Sequence, residues 1–379
     1  VQLMSRRPTK RRLRLLLQAA LALPGLALSS DAFAQTAPSP AVVQIKYADY
    51  RDWQKKDEDR MEVLAPMLYF SAPVAEEWQV DGSAVYDSMS GASPFYLSTL
   101  SGASGTGIDD SRIAGESMVT HFWDSWSLGL GGQVSDENDY LSRGGKLQAR
   151  WWTEDRNTVV SVGAAFDSDQ ISSSNDPTLF EKRRTGGYLL GVTQILDPVS
   201  LVQSNITFTS GAGFFSDPYK AFDNRPRSRD QWAWLTRYVR YFAEANSAAL
   251  HLDYRLYQDS WSVYSQMLEA AWYQPIGENW MVRPSLRYYT QSAAEFFEDT
   301  FPPADVDQFL TFDQRMSAFG SISMGLKIER ELGNGWSVDG AVEFVQQRDD
   351  LKLNGGGTSG IASFYERYFL FGLTRRFEP

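Results

Sequence analysis

Leu250-His251-Leu252-Asp253-Tyr254-Arg255-Leu256 places an apolar residue at every second position and a polar or charged one between. Side chains alternate across a β-strand, so this stretch is a strand with one greasy face and one wet face. Trp280, Val282, Leu286 and Tyr288 set against Arg283, Ser285 and Arg287 repeat the pattern, and so do Val43, Ile45 and Tyr47 against Gln44 and Lys46. In a soluble sandwich the apolar face would cover a core. In a membrane barrel it meets lipid while the polar face lines a wet interior.

The tryptophans distinguish the two. Trp78, Trp126, Trp280 and Trp336 each open an alternating stretch at or directly after a short polar turn, and Trp123, Trp152, Trp272, Tyr273 and Phe377 close others. An indole has an apolar body and a polar N–H, and it settles where hydrocarbon meets headgroups. Core tryptophans have no reason to keep phase with turns. The spacing therefore predicts a girdle of Trp78, Trp123, Trp126, Trp152, Trp272, Trp280, Trp336 and Phe377 at one rim. The expected fold is all-β: a transmembrane antiparallel up-and-down β-barrel of about sixteen strands, with fourteen as the alternative count.

Connection lengths alternate in the same sense. Asp124-Ser125, Glu154 to Asn157, Asp197 to Val199, Pro275 to Asn279 and Gly333 to Gly335 are short. Between them lie longer polar linkers: Gly91 to Ala114, Asp136 to Arg143, Asp169 to Lys182, Phe215 to Arg229, Ala293 to Asp313 and Asp349 to Ala362. Short periplasmic turns and long outer loops are the asymmetry of the Gram-negative outer membrane, which is the expected location. Gln258 to Ser260 is a short turn on the rim where loops should be long.

The N-terminus supplies an address. Arg6, Arg7, Lys10, Arg11, Arg12 and Arg14 precede an apolar run from Leu15 to Leu28 and then Ala32-Phe33-Ala34. A basic region, a short greasy core and a small-x-small site make a cleavable signal peptide over residues 1–34. Residues 35–41 would form a short periplasmic segment and 42–379 the barrel. The leader holds six basic groups and Asp31, so its removal takes the net charge from −11 to −16. A chain this acidic is repelled by phosphates, and no nucleic-acid partner is expected. The absence of cysteine excludes disulfides, Cys-ligated metal centres and c-type haem attachment, and no cofactor of its own is expected.

Alternation assigns Lys46, Asp81, Asp87, Asp253, Arg255, Arg283, Arg287, Lys327, Glu329, Asp339 and Glu343 to the interior. A barrel of sixteen strands leaves an aqueous lumen. Opposite charges there either select solutes by sign and dipole or only neutralise one another. The outer loops hold an acid excess, which would bind divalent cations bridging lipopolysaccharide or simply remain solvated. No Gly-x-Ser-x-Gly, His-Glu-x-x-His or phosphate-loop motif occurs. His121 and His251 both fall near the short-turn end, away from the outer loops, so an enzyme is not expected.

Phe369, Phe371, Leu373 and Phe377 share a face near the C-terminus and resemble the closing-strand signal read by the barrel-assembly machinery. Arg375 and the overhanging Glu378-Pro379 depart from it. Leu286-Arg287-Tyr288-Tyr289-Thr290-Gln291-Ser292-Ala293-Ala294-Glu295-Phe296-Phe297 resembles the signature of an uncharacterised outer-membrane family, domain-of-unknown-function family 3570, with Glu295 where Asp is expected. Ser216-Asp217-Pro218-Tyr219-Lys220 with Asp223-Asn224-Arg225-Pro226, Val85-Tyr86-Asp87-Ser88, Ser90-Gly91-Ala92-Ser93-Pro94, Leu190-Gly191-Val192-Thr193-Gln194 and Trp272-Tyr273-Gln274-Pro275 add to the likeness. The resemblance implies an outer-membrane barrel associated with a lipoprotein, a thioredoxin-like protein and a transferase that flavinylates exported proteins. A flavinylated redox partner follows from that association, and from no residue of this chain. Arg283, Arg287 and Gln291 share one strand face beside Asp253 and Arg255, while Asp217, Tyr219, Asp223 and Arg225 lie on a long loop. Together they read as a selectivity or docking site, or equally as a brace between loop and wall.

Overall fold

The structure, a computed structural model, describes residues 38, 40–54, 59–91, 108–174, 176–220, 222–300, 309–359 and 363–377. The expected leader lies outside the described residues. The chain runs through β1 (Val42–Trp53), β2 (Asp59–Ala75), β3 (Trp78–Gly91), β4 (Ile108–Phe122), β5 (Trp126–Glu137) and β6 (Tyr140–Trp152). It continues through β7 (Thr158–Ser172), β8 (Phe180–Asp197), β9 (Ser200–Gly213), β10 (Ser228–Phe242) and β11 (Ala248–Asp259). The last strands are β12 (Tyr264–Ile276), β13 (Trp280–Gln291), β14 (Phe319–Gly333), β15 (Trp336–Arg348) and β16 (Phe364–Arg376), with one 3-10 turn at Gln314–Met316 before β14.

Each strand pairs antiparallel with its sequence neighbours, and β1 pairs with β16 from Val42↔Arg376 to Trp53↔Tyr365. The sheet thus has no edge. Hydrocarbon offers no hydrogen bonds to an unpaired backbone group, so closure is the condition for crossing a bilayer with strands. Followed through all the pairings, the register returns to β1 about 16 residues displaced, a stagger of about one residue per strand that tilts the strands by about 36°. At a strand spacing of about 4.8 Å the backbone wall is then about 30 Å across.

The two faces have opposite chemistry. Outward positions carry exposed apolar side chains, among them Ile45, Leu68, Leu130 (67% exposed), Val162, Leu190, Leu286, Met324 and Phe371 (72% exposed). Inward positions carry Gln79, Asp87, Arg112, Asp169, Asp253, Asp339 and many serines and threonines, all buried. This inside-out distribution is the reverse of a soluble domain and matches a lipid solvent. The all-β, sixteen-strand barrel expected from alternation is the architecture found.

Local differences have simple causes. β4 begins at Ile108, well before residue 115 where alternation becomes clean, because Asp109, Asp110 and Ser111 continue the ladder opposite β3. Asp136 to Arg143 is no long loop. β5 and β6 extend toward one another until only residues 138–139 connect them, with Glu137 paired to Tyr140. Residues 261–263 and 314–318 are turns rather than strand, since Trp261, Val263 and Met316 pack against a neighbouring loop instead of joining the ladder. At the Gly333-Asn334-Gly335 turn all three residues have positive φ, which a tight hairpin demands and glycine and asparagine supply.

Trp78, Trp123, Trp126, Trp280, Trp336 and Phe377 are exposed at the short-turn rim. Trp272 lies at the same rim, half-buried against Phe242. Trp152 differs. Its ring is 1% exposed and packs inward with Phe122 and Val159, its Nε1 donating to the Asp124 carbonyl at 2.9 Å. Its position has inward parity, so it packs against the inner side of the wall instead of meeting headgroups.

A cation on the outer face should test the facing directly. Leu130→Arg, on the apolar face of β5, is expected to cost about 2–4 kcal/mol of folding free energy in vesicles, measured by urea titration. Ser127→Asn, on the inward face of the same strand, should change it far less.

Candidate functional site

The lumen wall from β10 to β15 is a continuous ionic lattice. Asp253 and Glu269 face each other in register, a like-charge pair that needs cations. Arg237 binds Asp253 through Nε at 2.8 Å and Nη2 at 2.6 Å, a fork-shaped match to the carboxylate. Arg287 sits between two acids, donating Nε to Glu269 at 2.8 Å and Nη1 to Glu343 at 3.1 Å. Lys327 completes the run, 3.5 Å from both Glu329 and Asp339.

Two arginines stand outside this pairing. Among the described residues neither Arg255 nor Arg283 has a carboxylate within ion-pair distance. Arg283 donates Nη1 to the Tyr273 hydroxyl at 3.2 Å and lies 5.5 Å from that ring, and its buried Nε has no acceptor. His251 packs on the same ring at 4.3 Å. Across the barrel, β5 to β9 place Gly131, Gly163, Gly187 and Gly191 with Asn205 and Thr207 on inward positions. That arc is rich in small residues, and its inward charges include Lys146, paired with Glu116 at 2.7 Å, and Arg183, paired with Asp169 at 2.6 Å.

At the long-loop rim residues 214–220 and 222–227 fold onto residues 292–300 and 309–318. Asn224 and Leu310 form a backbone bridge, with N–H to O distances of 2.8 and 2.7 Å. Asp313, fully buried, accepts from Arg225 at 2.9 Å, from Lys220 at 3.1 Å and from Arg315. Arg225 also binds Asp223 at 2.9 Å, and Asp223 accepts the Asp217 N–H at 2.6 Å. The Tyr219 hydroxyl reaches Asp139 in the β5–β6 turn and accepts the Ser174 N–H at 2.8 Å. Gln291 ties this knot to the wall, donating Nε2 to the carbonyls of Arg315 at 2.9 Å and Ser317 at 2.7 Å. Beneath it Trp261, Val263, Ala294, Phe296 and Met316 form an apolar cluster, with Arg229 4.1 Å above the Trp261 ring.

The structure thus brings Asp217, Tyr219, Asp223, Arg225 and Gln291 together, and leaves Asp253, Arg255, Arg283 and Arg287 on the wall as a separate group. Asp313 and Arg315 are the residues sequence reading missed. They lie in an irregular stretch where no periodicity marks a side chain as buried. The two motif-rich stretches, 216–226 and 286–297, converge here, and that convergence was the available signal.

Charges in the knot are set by burial and by each other. Burial alone would push the Asp313 carboxyl up, but Arg315, Lys220 and Arg225 outweigh it and hold it well below the usual carboxylate range. Burial lowers the Lys220 ammonium, only partly offset by Asp313. For Arg225 burial is overcome by Asp223 and Asp313, and its guanidinium is raised further. Removing one member of a buried pair leaves an uncompensated charge, at a cost of about 3–5 kcal/mol.

Asp313→Asn should therefore open the loops while leaving the barrel closed. The expected result is rapid protease cleavage within 292–318, with an unchanged heat-dependent shift in gel mobility. Because the folded carboxyl lies below its unfolded value of about 3.9, its contribution is complete above about pH 4 and is lost as pH falls through the folded value. Hydrogen-exchange protection of the loops in the wild type should accordingly hold from neutrality to about pH 4 and decline only below it.

By structure the chain is similar to CdiB from Acinetobacter baumannii, with TM-score 0.54 and 10% identity over 89% of this chain and 60% of that one. It is also similar to a bacterial polysaccharide outer membrane secretin, with TM-score 0.50 and 10% identity over 89% and 98% of the two chains. The chain spans about three fifths of the CdiB chain, and at these identities the likeness concerns the fold, that of an outer-membrane barrel. No curated protein matches it by sequence. The family model described as a protein of unknown function, DUF3570, matches residues 97–367, which takes in both stretches of the knot, and the chain belongs to that family.

Proposed function

We propose that the barrel is an outer-membrane channel for small polar solutes, with a passage between the glycine-rich arc of β5–β9 and the ionic arc of β10–β15. The observation that carries this reading is the pair Arg255 and Arg283. On the β10–β15 wall, whose other charges are largely matched, two inward guanidinia without carboxylates leave a local positive potential, and a pore lined this way favours anions. Arg237 and Arg287 keep the neighbouring acids neutralised, and the loop knot narrows the mouth over β9–β14 while holding it in one shape. The exposed tryptophans at the opposite rim would fix the depth of the barrel in outer-membrane lipid.

The knot supports a second reading. A braced, charged platform is a surface on which a lipoprotein or a flavinylated redox protein could dock, with the barrel as scaffold and little transport of its own. A rigid site is also what docking requires, since less order is lost on binding. Lipopolysaccharide contacts and delivery by the barrel-assembly machinery belong to either reading.

Planar-bilayer recording separates them. The channel reading expects stepwise conductance with chloride favoured over potassium. Replacing both Arg255 and Arg283 by Gln should move the reversal potential toward cation preference, and Gly187→Trp, where open space lies inside the wall, should lower unit conductance. A silent barrel that co-purifies with a flavoprotein or lipoprotein under mild detergent would establish the scaffold reading instead. Arg287→Glu should be more disruptive than either arginine-to-glutamine change, because it sets three carboxylates together in a low-dielectric wall.

A further inference from the structure

On the outer face of β14–β16 the lipid-facing surface has a dent. Gly340 stands in register between Ile328 and Phe371, and its missing side chain opens a trough of about 310 Å³ walled by Leu326, Val342 and Phe369 above them. One rung nearer the short-turn rim is Arg330, paired with Val338. One rung further is Arg375, paired with Trp336. Rungs on one face are two residues, or about 7 Å, apart. The two arginines therefore stand one and two rungs below the trough, on β14 and β16, toward the short-turn rim. Arg330 packs 4.9 Å from the Trp280 ring, and Arg375 is held 5.3 Å from Trp336 and 5.2 Å from Phe377.

Their polar groups are unanswered. The acids of this corner, Glu329, Glu331 and Asp339, have inward parity, and Glu329 and Asp339 are taken by Lys327 and Arg376. Among the described residues neither outward guanidinium has a carboxylate partner, and the Arg375 Nη1 is buried with no acceptor. Lone cations on an apolar face commonly bend toward water. Here aromatic rings hold both in place beneath an apolar trough.

We propose that this corner binds one glycerophospholipid of the leaflet on the short-turn side. Its phosphodiester accepts from the guanidinia of Arg330 and Arg375, and one acyl chain lies in the trough left by Gly340. Guanidinium and phosphate match in charge and in donor geometry, and the apolar trough continues directly from the phosphate position along the line an acyl chain takes. Arg375, an anomaly in the closing strand, becomes the headgroup anchor.

Native mass spectrometry of the intact barrel in mild detergent, titrated with phosphatidylglycerol, tests this. The wild type should retain one lipid per chain. Gln at either arginine should weaken retention by about tenfold, the loss of one charge-assisted contact. Gly340→Leu, which fills the trough, should weaken it with the arginines intact. On the wild type itself, diacylglycerol with the same chains should not compete, and neither should glycerol phosphate. Equal retention by all variants, effective competition by diacylglycerol, or a dimer formed through this face in place of a bound lipid would each overturn the proposal. An unaltered heat-dependent gel shift confirms that each variant is folded.

Discussion

A bilayer interior contains nothing that can hydrogen-bond a backbone amide, and the rest of the structure depends on this constraint. It forces the first strand to find the last, so that Val42 to Trp53 lies against Tyr365 to Arg376 without a gap. Closure fixes strand count and stagger together, and these set the width of the lumen. The same solvent demands apolar groups outside, which leaves only the inner face for charge. A polar wall facing itself across a wide lumen must then be organised, and the Arg237–Asp253 and Glu269–Arg287–Glu343 contacts are how β10 to β15 do it.

Outside the bilayer the loops obey ordinary rules for buried charge. Asp313 is stable as an anion only because three cations converge on it, and those cations come from two loops far apart in sequence. Such a cluster contributes little net stability against an apolar alternative, but it enforces a single arrangement by penalising any other. That fits a mouth whose shape matters more than its strength. The knot is tied to the ionic wall through Gln291 and reaches the β5–β6 turn through Tyr219 and Asp139.

The fold was legible because the physics that builds it is local and periodic. Alternation in Leu250 to Leu256 or Trp280 to Tyr288 is a direct trace of two solvents, and the tryptophans mark where one gives way to the other. Strand ends were less legible: Asp109 to Ser111 and Asp136 to Arg143 are polar, and only partner strands beyond the bilayer make them sheet. Trp152 was misplaced because residue type was read without parity. Of the candidate site, Asp217, Tyr219, Asp223 and Arg225 could be singled out from their clustering, but their convergence on Asp313 is a long-range fact with no sequence period. The proposed channel would be a property of the whole lumen, which no short motif records.

The central claim is that consecutive residues of each strand face different solvents. The chain has no cysteine, so single spin labels can be placed along Leu128 to Val134 of β5 in lipid vesicles without background. Collision rates with oxygen, which partitions into lipid, and with a water-soluble nickel chelate should alternate in antiphase with a period of two, oxygen reaching Leu128, Leu130 and Val134 and the chelate reaching positions 129, 131 and 133. Uniform access to the chelate, or a period near 3.6, would contradict the account.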